Sequence, residues 1–202
     1  MDQVNLKTGD ILLFDNGGCN PISMLIKYFT SSNITHVAMV LKDPDFIDPP
    51  LKGYYVWESN YEGEPDPQDG EIKFGVQITP LDEICDKYKK KNSSIYVRSI
   101  YYSKELFSTK HLKEVHSVVY DKKYDFYLRD LIDAIQRKDR DPQKKDRFWC
   151  SALLGYIYTN CGILNKDTDW SILRPSDFTP ECSQDLDFNE GSSLGTMVQL
   201  SP

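Results

Sequence analysis

The chain has 202 residues, of which 40% are hydrophobic and 12% aromatic, which is enough for a real core and argues against disorder. Its formal net charge of −7 lacks the positive field of a nucleic-acid-binding protein, so we expect no nucleic-acid partner. We find no basic start followed by an apolar run, and no stretch near ~18 consecutive apolar residues. We therefore expect no signal peptide, no transmembrane anchor and a cytoplasmic location, which suits a cellular and a virus-encoded protein equally.

The first half of the chain predicts short strands separated by turns. Each predicted strand is a short run rich in apolar, β-branched or aromatic residues, bounded by Gly, Pro, Asp or Asn. These runs are residues 10–14, 35–41, 54–58, 76–78 and 95–100. Helices are predicted over residues 21–29, with Asn20 as the N-cap, and over residues 80–88. The acidic segment 61–70, rich in Pro and Gly, predicts a surface loop.

The second half of the chain predicts helices. Apolar residues at helical spacing indicate helices over 104–120 and 127–135, followed by a charged loop over 137–147. Residues 150–161 are apolar along most of their length and predict a buried helix that Gly162 ends. We expect an α+β fold with an antiparallel sheet packed against helices. Residues 1–182 would form one domain, and residues 183–202 a tail that is extended or wrapped on the surface.

The cysteines indicate free thiols in a reducing compartment. The chain has five of them, an odd number at irregular spacings: Cys19, Cys85, Cys150, Cys161 and Cys182. CxxC and HExxH motifs are absent, so we expect neither a structural zinc site nor another metal or cofactor.

Cys150 differs from the other cysteines in where it lies. It follows a charged loop and begins the predicted apolar helix 150–161. A helix N-terminus lowers the pKa of a thiol, and its free N–H groups can also donate to an oxyanion. The alternative is a small buried hydrophobic residue, which most lone cysteines are, and position alone favours that alternative.

His36 is the candidate base. It lies at the head of an apolar strand, whereas His111 and His116 lie on a helix of mixed polarity, where we expect them on the solvated face. By itself a satisfied core histidine is the favoured interpretation. As a base, His36 would need a third group to hold its tautomer. Glu58 ends the next strand and would lie near His36 in a hairpin. The alternatives to Glu58 are a nearby Glu62 or Glu64, and a solvated strand end is the simplest interpretation of Glu58 itself.

Short motifs in this order resemble the NlpC-type papain-like cysteine hydrolases, in their circularly permuted branch. That branch includes YiiX-like hydrolases and is related to lecithin–retinol acyltransferase-like proteins. The matching motifs are TGDILLF at 8–14, ITHVAM at 34–39, VWES at 56–59, VR at 97–98, KYD at 123–125, FWCS at 148–151 and LRPSD at 173–177. Each motif is short, but their order is specific, because the histidine strand precedes the cysteine helix only in the permuted branch.

The resemblance implies a permuted papain-like fold with Cys150 as the nucleophile, His36 as the base and Glu58 as the group that orients His36. It also implies that Tyr124 and Ser151 serve the oxyanion or substrate, and an ordinary core tyrosine is an equal alternative for Tyr124. Ala152 departs from the family, which often has Glu there.

The function implied by the resemblance is a thiol hydrolase that forms an acyl-enzyme. Its substrate would be peptide-like or acylated, with a lipid among the options. Amide or peptide hydrolysis is the first hypothesis, and acyl transfer or thioester and lipid deacylation is the second. A non-catalytic binding module on the same fold is the third. The loop 137–147, with six basic and three acidic residues, could attract an anionic substrate, although a solvated loop is the favoured interpretation.

Overall fold

One mixed sheet organises the protein. The computed structural model describes residues 5–15, 32–102, 106–125 and 145–200, and within them eight strands pair in the order β7-β6-β4-β3-β2-β1-β5-β8. Neighbouring strands are antiparallel except the parallel pair β6–β7. The strands are β1 Ile11–Asp15, β2 His36–Lys42, β3 Tyr54–Asn60, β4 Gly75–Pro80, β5 Ser94–Tyr101, β6 Lys123–Tyr124, β7 Arg147–Phe148 and β8 Ser193–Gln199.

Three α-helices lie within the described residues. They are α1 Leu81–Lys90, α2 Thr109–Val119 and α3 Cys150–Asn160. Three 3-10 turns follow α3, at Trp170–Ile172, Pro175–Phe178 and Ser183–Asp185. The mixture of helices with a mostly antiparallel sheet confirms the predicted α+β class. All five predicted strands are present, and α1 and α3 lie within a residue or two of their predicted bounds.

The two faces of the sheet are covered by different helices. Alternate residues along a strand point to opposite faces. On one face, Leu13, Val37 and Met39 join the larger hydrophobic core with α2 and α3. On the other face, Leu12 and Ala38 belong to the smaller core under α1, with other residues of β1, β3 and β5. The predicted nucleophile helix therefore packs directly against the sheet.

Gly9 and Asp10 form a structural turn at the start of β1. Asp10 is buried, and its carboxylate accepts the N–H of Ile100 at 3.0 Å and the N–H of Lys7 at 2.9 Å. Gly9 has φ +96°, and a Cβ there would lie 2.2 Å from the ring of Phe107. Only glycine fits this turn without strain.

The C-terminal segment joins the sheet. Arg98 is buried in β5, and its guanidinium donates to the carbonyls of Gly195 at 2.7 Å and Phe178 at 2.8 Å. Strand β8 pairs with β5 at the edge of the sheet. The segment predicted to be a tail, residues 183–202, is thus extended over Ser193–Gln199 as an edge strand. The division of the chain at residue 182 stays a prediction.

Several differences from the predicted elements have local causes. Helix α2 begins at Thr109 rather than 104, because the Ser108 side chain caps it by accepting the N–H of His111. Strands β6 and β7 have two residues each, too few for a periodic pattern. The predicted helices 21–29 and 127–135, Cys19 and most of the loop 137–147 lie outside the described residues. Of the helices in the described ranges, none combines the length and apolar character needed to cross a membrane.

Candidate active site

Cys150 is the first residue of α3, and it is buried. The N-cap residue is Trp149, and no side chain caps the helix. The first N–H groups of a helix have no partner within the helix, so they remain available to a negatively charged group at this end. The helix is buried from Cys150 through Tyr158, which fixes its N-terminus against the sheet.

His36 contacts the carboxylate of Glu58. The His36 Nε2 and Glu58 Oε2 atoms are 2.6 Å apart, and the two residues are only 6% and 1% exposed. The β2–β3 register pairs Met39 with Trp57, which sets Glu58 across from Ala38 and diagonally from His36 on the same face of the sheet. Of the three carboxylates considered from sequence, Glu58 is therefore the one that meets the imidazole directly.

The sulfur of Cys150 lies near the point where the pairing of β2 with β3 ends. Val40 donates its N–H to the backbone carbonyl of Asp10, on the β1 side of the strand. Because N–H groups alternate in direction along a strand, the N–H of Val37 points toward β3. The β2–β3 ladder ends at Met39, while β3 continues beside β4 to Asn60. The backbone N–H groups of Val37 and Ser151 lie near the Cys150 sulfur, where they favour the thiolate and lower the pKa of the thiol.

Cys150, His36 and Glu58 form one row of side chains. Cys150 and His36 lie close enough for each to shift the pKa of the other. Because Nε2 is engaged by Glu58, Nδ1 is the ring nitrogen left for the sulfur. The imidazole thus lies between the thiol and the carboxylate and orders both.

The electrostatics of this row favour a thiolate–imidazolium pair. Burial opposes the charged form of each group, but the charge and hydrogen bond of His36, with the N–H groups of Val37 and Ser151, lower the pKa of Cys150. Burial likewise disfavours the His36 cation. The charge and hydrogen bond of Cys150, then those of Glu58, outweigh burial and raise the pKa of His36 to about 10. Both shifts favour the form in which the thiol is ionised and the imidazole is protonated.

Tyr124 and Ser151 both lie near Cys150, Tyr124 through its phenol and Ser151 through its backbone N–H. Burial and the nearby Cys150 charge raise the pKa of Tyr124, so its phenol stays protonated and can donate a hydrogen bond. Its ring stacks on Phe74 with centroids 5.5 Å apart. The Ser151 hydroxyl donates to the carbonyl of Leu173 at 2.6 Å. Only the backbone N–H of Ser151 faces the sulfur.

Sequence reasoning missed the residues that hold Glu58. Asn60 Nδ2 donates to Glu58 Oε2 at 3.3 Å, and the Thr79 hydroxyl donates to Oε1 at 3.5 Å. Two buried side-chain N–H groups next to the row, Gln77 Nε2 and Trp149 Nε1, have no acceptor among the described residues. Asn60 was detectable from the strand alternation, which sets it on the face of Glu58. The other three depend on pairing between distant segments.

The remaining histidines and thiols have other environments. His116 does not lie on a solvated face as expected from its helix, because it packs against Phe46 and Trp57 and contacts the side chain of Gln68 in segment 61–70. Burial raises the pKa of Cys161 to about 12, and burial with neighbouring acidic groups raises that of Cys85. These two thiols lack the activation found at Cys150.

Comparisons with known proteins show a distant likeness to solved structures. No protein-family profile and no curated protein match the sequence. Among solved structures, the chain is similar to one described as the metalloprotein YiiX from Escherichia coli O157:H7, with 16% identity and a TM-score of 0.43. The match covers 96% of each chain.

Proposed function

We propose that the protein is a cysteine hydrolase that acts through an acyl-enzyme on Cys150, on a permuted papain-like fold. One observation carries this proposal: the buried imidazole of His36 contacts the carboxylate of Glu58 at 2.6 Å and lies close enough to Cys150 to lower the pKa of its thiol. A nucleophile, a base and a group that orients the base are the three parts that thiol catalysis needs.

In the first half of the reaction, the Cys150 thiolate attacks a substrate carbonyl and forms a C–S bond, while the carbonyl electron pair moves onto oxygen. The imidazolium of His36 then gives its proton to the leaving amine, alcohol or thiol as the bond to the leaving group breaks. In the second half, His36 takes a proton from water as the water attacks the acyl-enzyme. The C–S bond breaks, the acid leaves, and the proton returns the row to its resting state.

The oxyanion would form beside the N-terminus of α3. Free backbone N–H groups there and the protonated phenol of Tyr124 supply donors for the negative oxygen. Ser151 contributes through its backbone N–H, because its hydroxyl is committed to Leu173. This assignment keeps both residues of the expected oxyanion pair, with the backbone rather than the hydroxyl acting at Ser151.

The metal named for the YiiX structure finds no counterpart in the geometry of this row. Among the described residues, no group of three or more His, Cys, Asp or Glu side chains is placed to hold a metal ion. Cys150 and Glu58 lie on opposite sides of the His36 ring and do not converge on one point.

The substrate class follows from the reaction. Any of a peptide-like amide, an acyl ester and a thioester has a carbonyl that the thiolate can attack, so the proposal names an acylated or peptide-like substrate. Acyl transfer differs only in the group that accepts the acyl chain from Cys150. The location in the cytoplasm stays a prediction from the sequence.

The decisive experiment measures the alkylation of each cysteine by iodoacetamide against pH, with the labelled residue mapped by mass spectrometry. We expect selective labelling of Cys150 with an apparent pKa well below ~8.5, and a higher pKa in His36→Gln. Cys161→Ala is the matched control, since it removes a buried cysteine from the other end of the same helix. Slow, unselective labelling that ignores His36 would leave a non-catalytic binding module as the better description.

The next experiment measures the turnover of candidate substrates. Amide, ester and thioester panels should show product release that Cys150→Ala abolishes. Tyr124→Phe should lower kcat by roughly ten-fold or more while the thiol pKa is unchanged, because a lost oxyanion donor affects the transition state and not the resting pair. Equal kcat for the two proteins would remove Tyr124 from the oxyanion site.

A further inference from the structure

A second buried carboxylate lies next to Glu58. Asn60 Nδ2 bridges the two acidic side chains, donating to Glu58 Oε2 at 3.3 Å and to Glu62 Oε1 at 2.6 Å. The Glu62 side chain is only 5% exposed. Glu58 and Asn60 alternate along β3, so their side chains share the face that carries His36, and Glu62 follows two residues after the strand ends.

Lys87 of α1 holds the second carboxylate. Its ammonium contacts Glu62 Oε2 and also donates to the Glu62 backbone carbonyl at 2.9 Å. Burial and the charge of Glu58 raise the pKa of Glu62, while Lys87 and the His36 cation lower it. Glu62 and His36 therefore attract each other across Glu58 and Asn60, and the Lys87 ion pair offsets the cost of burying a second negative charge.

We propose that Glu62, held by Lys87, is a positioning residue that acts through Asn60 and Glu58 to stabilise the protonated imidazole of His36. This inference deepens the proposed function and rests on it. The row then runs from the Cys150 thiolate through the His36 cation and two carboxylates bridged by Asn60 to the α1 ammonium. The cation at the end of the row fixes Glu62 and connects α1 to the reacting pair.

Other titratable groups surround the row, on the elements packed against it and at the wall of a neighbouring cavity. His36 faces Cys150 from α3, Glu58 from β3 and the Tyr124 phenol from β6. Glu62 borders a cavity of about 460 Å³ on the α1 side, whose wall includes other charged residues, namely Glu64, Glu83, Asp86, Lys90 and Lys91. Of these, Glu64 is exposed, so solvent screens its charge far more than that of Glu62.

The test is a titration of His36 by NMR in the full chain with ¹⁵N-labelled histidine. The chain has three histidines, so His36→Gln assigns the signal. We expect Glu62→Gln to lower the His36 pKa by about one unit, the size of a nearby charge interaction at an effective dielectric of ~20. Glu64→Gln removes the same charge two residues further along the chain and should leave the His36 pKa unchanged.

A double variant separates charge from folding. Glu62→Gln leaves the Lys87 cation unopposed near the His36 cation, so adding Lys87→Met should restore part of the lost His36 pKa. A purely structural role predicts the reverse, because the second substitution would loosen the site further. The same titrations in a Cys150→Ala background remove the thiolate and show the effect of Glu62 on the imidazole alone.

The outcomes are distinct. A His36 pKa that falls in Glu62→Gln, holds in Glu64→Gln and recovers in the double variant supports the inference. Loss of thermal stability in Glu62→Gln with wild-type titration of His36 overturns it, as does an equal effect of Glu64→Gln. If His36 of the wild-type protein titrates near 6.5 and Cys150 is unreactive, the proposed function fails, and this inference fails with it.

Discussion

The shifted pKa values of Cys150 and His36 predict a plateau in stability against pH, because the folded state favours the thiolate and the imidazolium. In the unfolded chain the thiol titrates near 9.0 and the imidazole near 6.5, so both are neutral between those values. In the folded protein the thiol pKa is lowered and the imidazole pKa is raised to about 10. Where the pH lies between 6.5 and 9.0 and above the folded pKa of Cys150, both states therefore hold one proton on the pair, and this pair contributes no pH dependence.

The two ends of the plateau have opposite slopes. The raised pKa of His36 gives stability that is complete below 6.5 and is lost as the pH rises toward 10. The lowered pKa of Cys150 gives stability that is complete above 9.0 and is lost as the pH falls through its folded value. The pair should thus contribute about 0.7 kcal/mol less at pH 10 than at pH 9, and about 1.4 kcal/mol less well above pH 10 than on the plateau. Below pH 6.5 its contribution should fall by up to about 1.4 kcal/mol per pH unit until the folded pKa of Cys150 is reached.

Urea unfolding in reducing buffer between about pH 5 and 10.5 measures this profile. Wild type is compared with Cys150→Ser/His36→Gln, which removes both titrating groups, and the difference in unfolding free energy isolates the pair. Cys161→Ala controls for the loss of a buried cysteine. A difference curve that falls steadily from pH 6.5 would mean that His36 is protonated without a thiolate partner. A curve that is flat at every pH would mean that the pair is neutral, and either result refutes the reasoning.

Two further predictions concern the orienting carboxylate and the first turn. Glu58→Gln should lower the His36 pKa by about one to two units, because a hydrogen bond to a charged group is worth about 1.5–3 kcal/mol. A ¹⁵N-histidine titration measures this pKa. An unchanged value would show that Glu58 does not hold the imidazole. Gly9→Ala should destabilise the fold by about 2 kcal/mol or more in urea unfolding, since it combines positive φ with a steric clash. Gly53→Ala, also at positive φ but with open space around it, should cost only about 1 kcal/mol, and equal losses would contradict the role of the clash.

Much of the candidate site could be predicted from the sequence, because Cys150 and His36 each begin a regular element. The apolar run after Cys150 predicts a helix whose first residue is the thiol, and the run after His36 predicts a strand whose first residue is the imidazole. Apolar patterning reports local conformation and the buried face, so both elements could be placed without knowing their neighbours. Their roles as nucleophile and base remain predictions that the alkylation experiment tests.

Only the tertiary structure decided how these elements meet. The diagonal contact of Glu58 with His36 depends on the β2–β3 register. The N–H of Val37 lies beyond the end of the β2–β3 pairing, so its position near the sulfur depends on where that pairing stops. Strands β6 and β7 pair across a long stretch of chain, and the Glu62–Lys87 pair joins a loop to α1. Register, strand separation and buried charge pairs are set by contacts between distant segments, which periodicity within one segment does not encode.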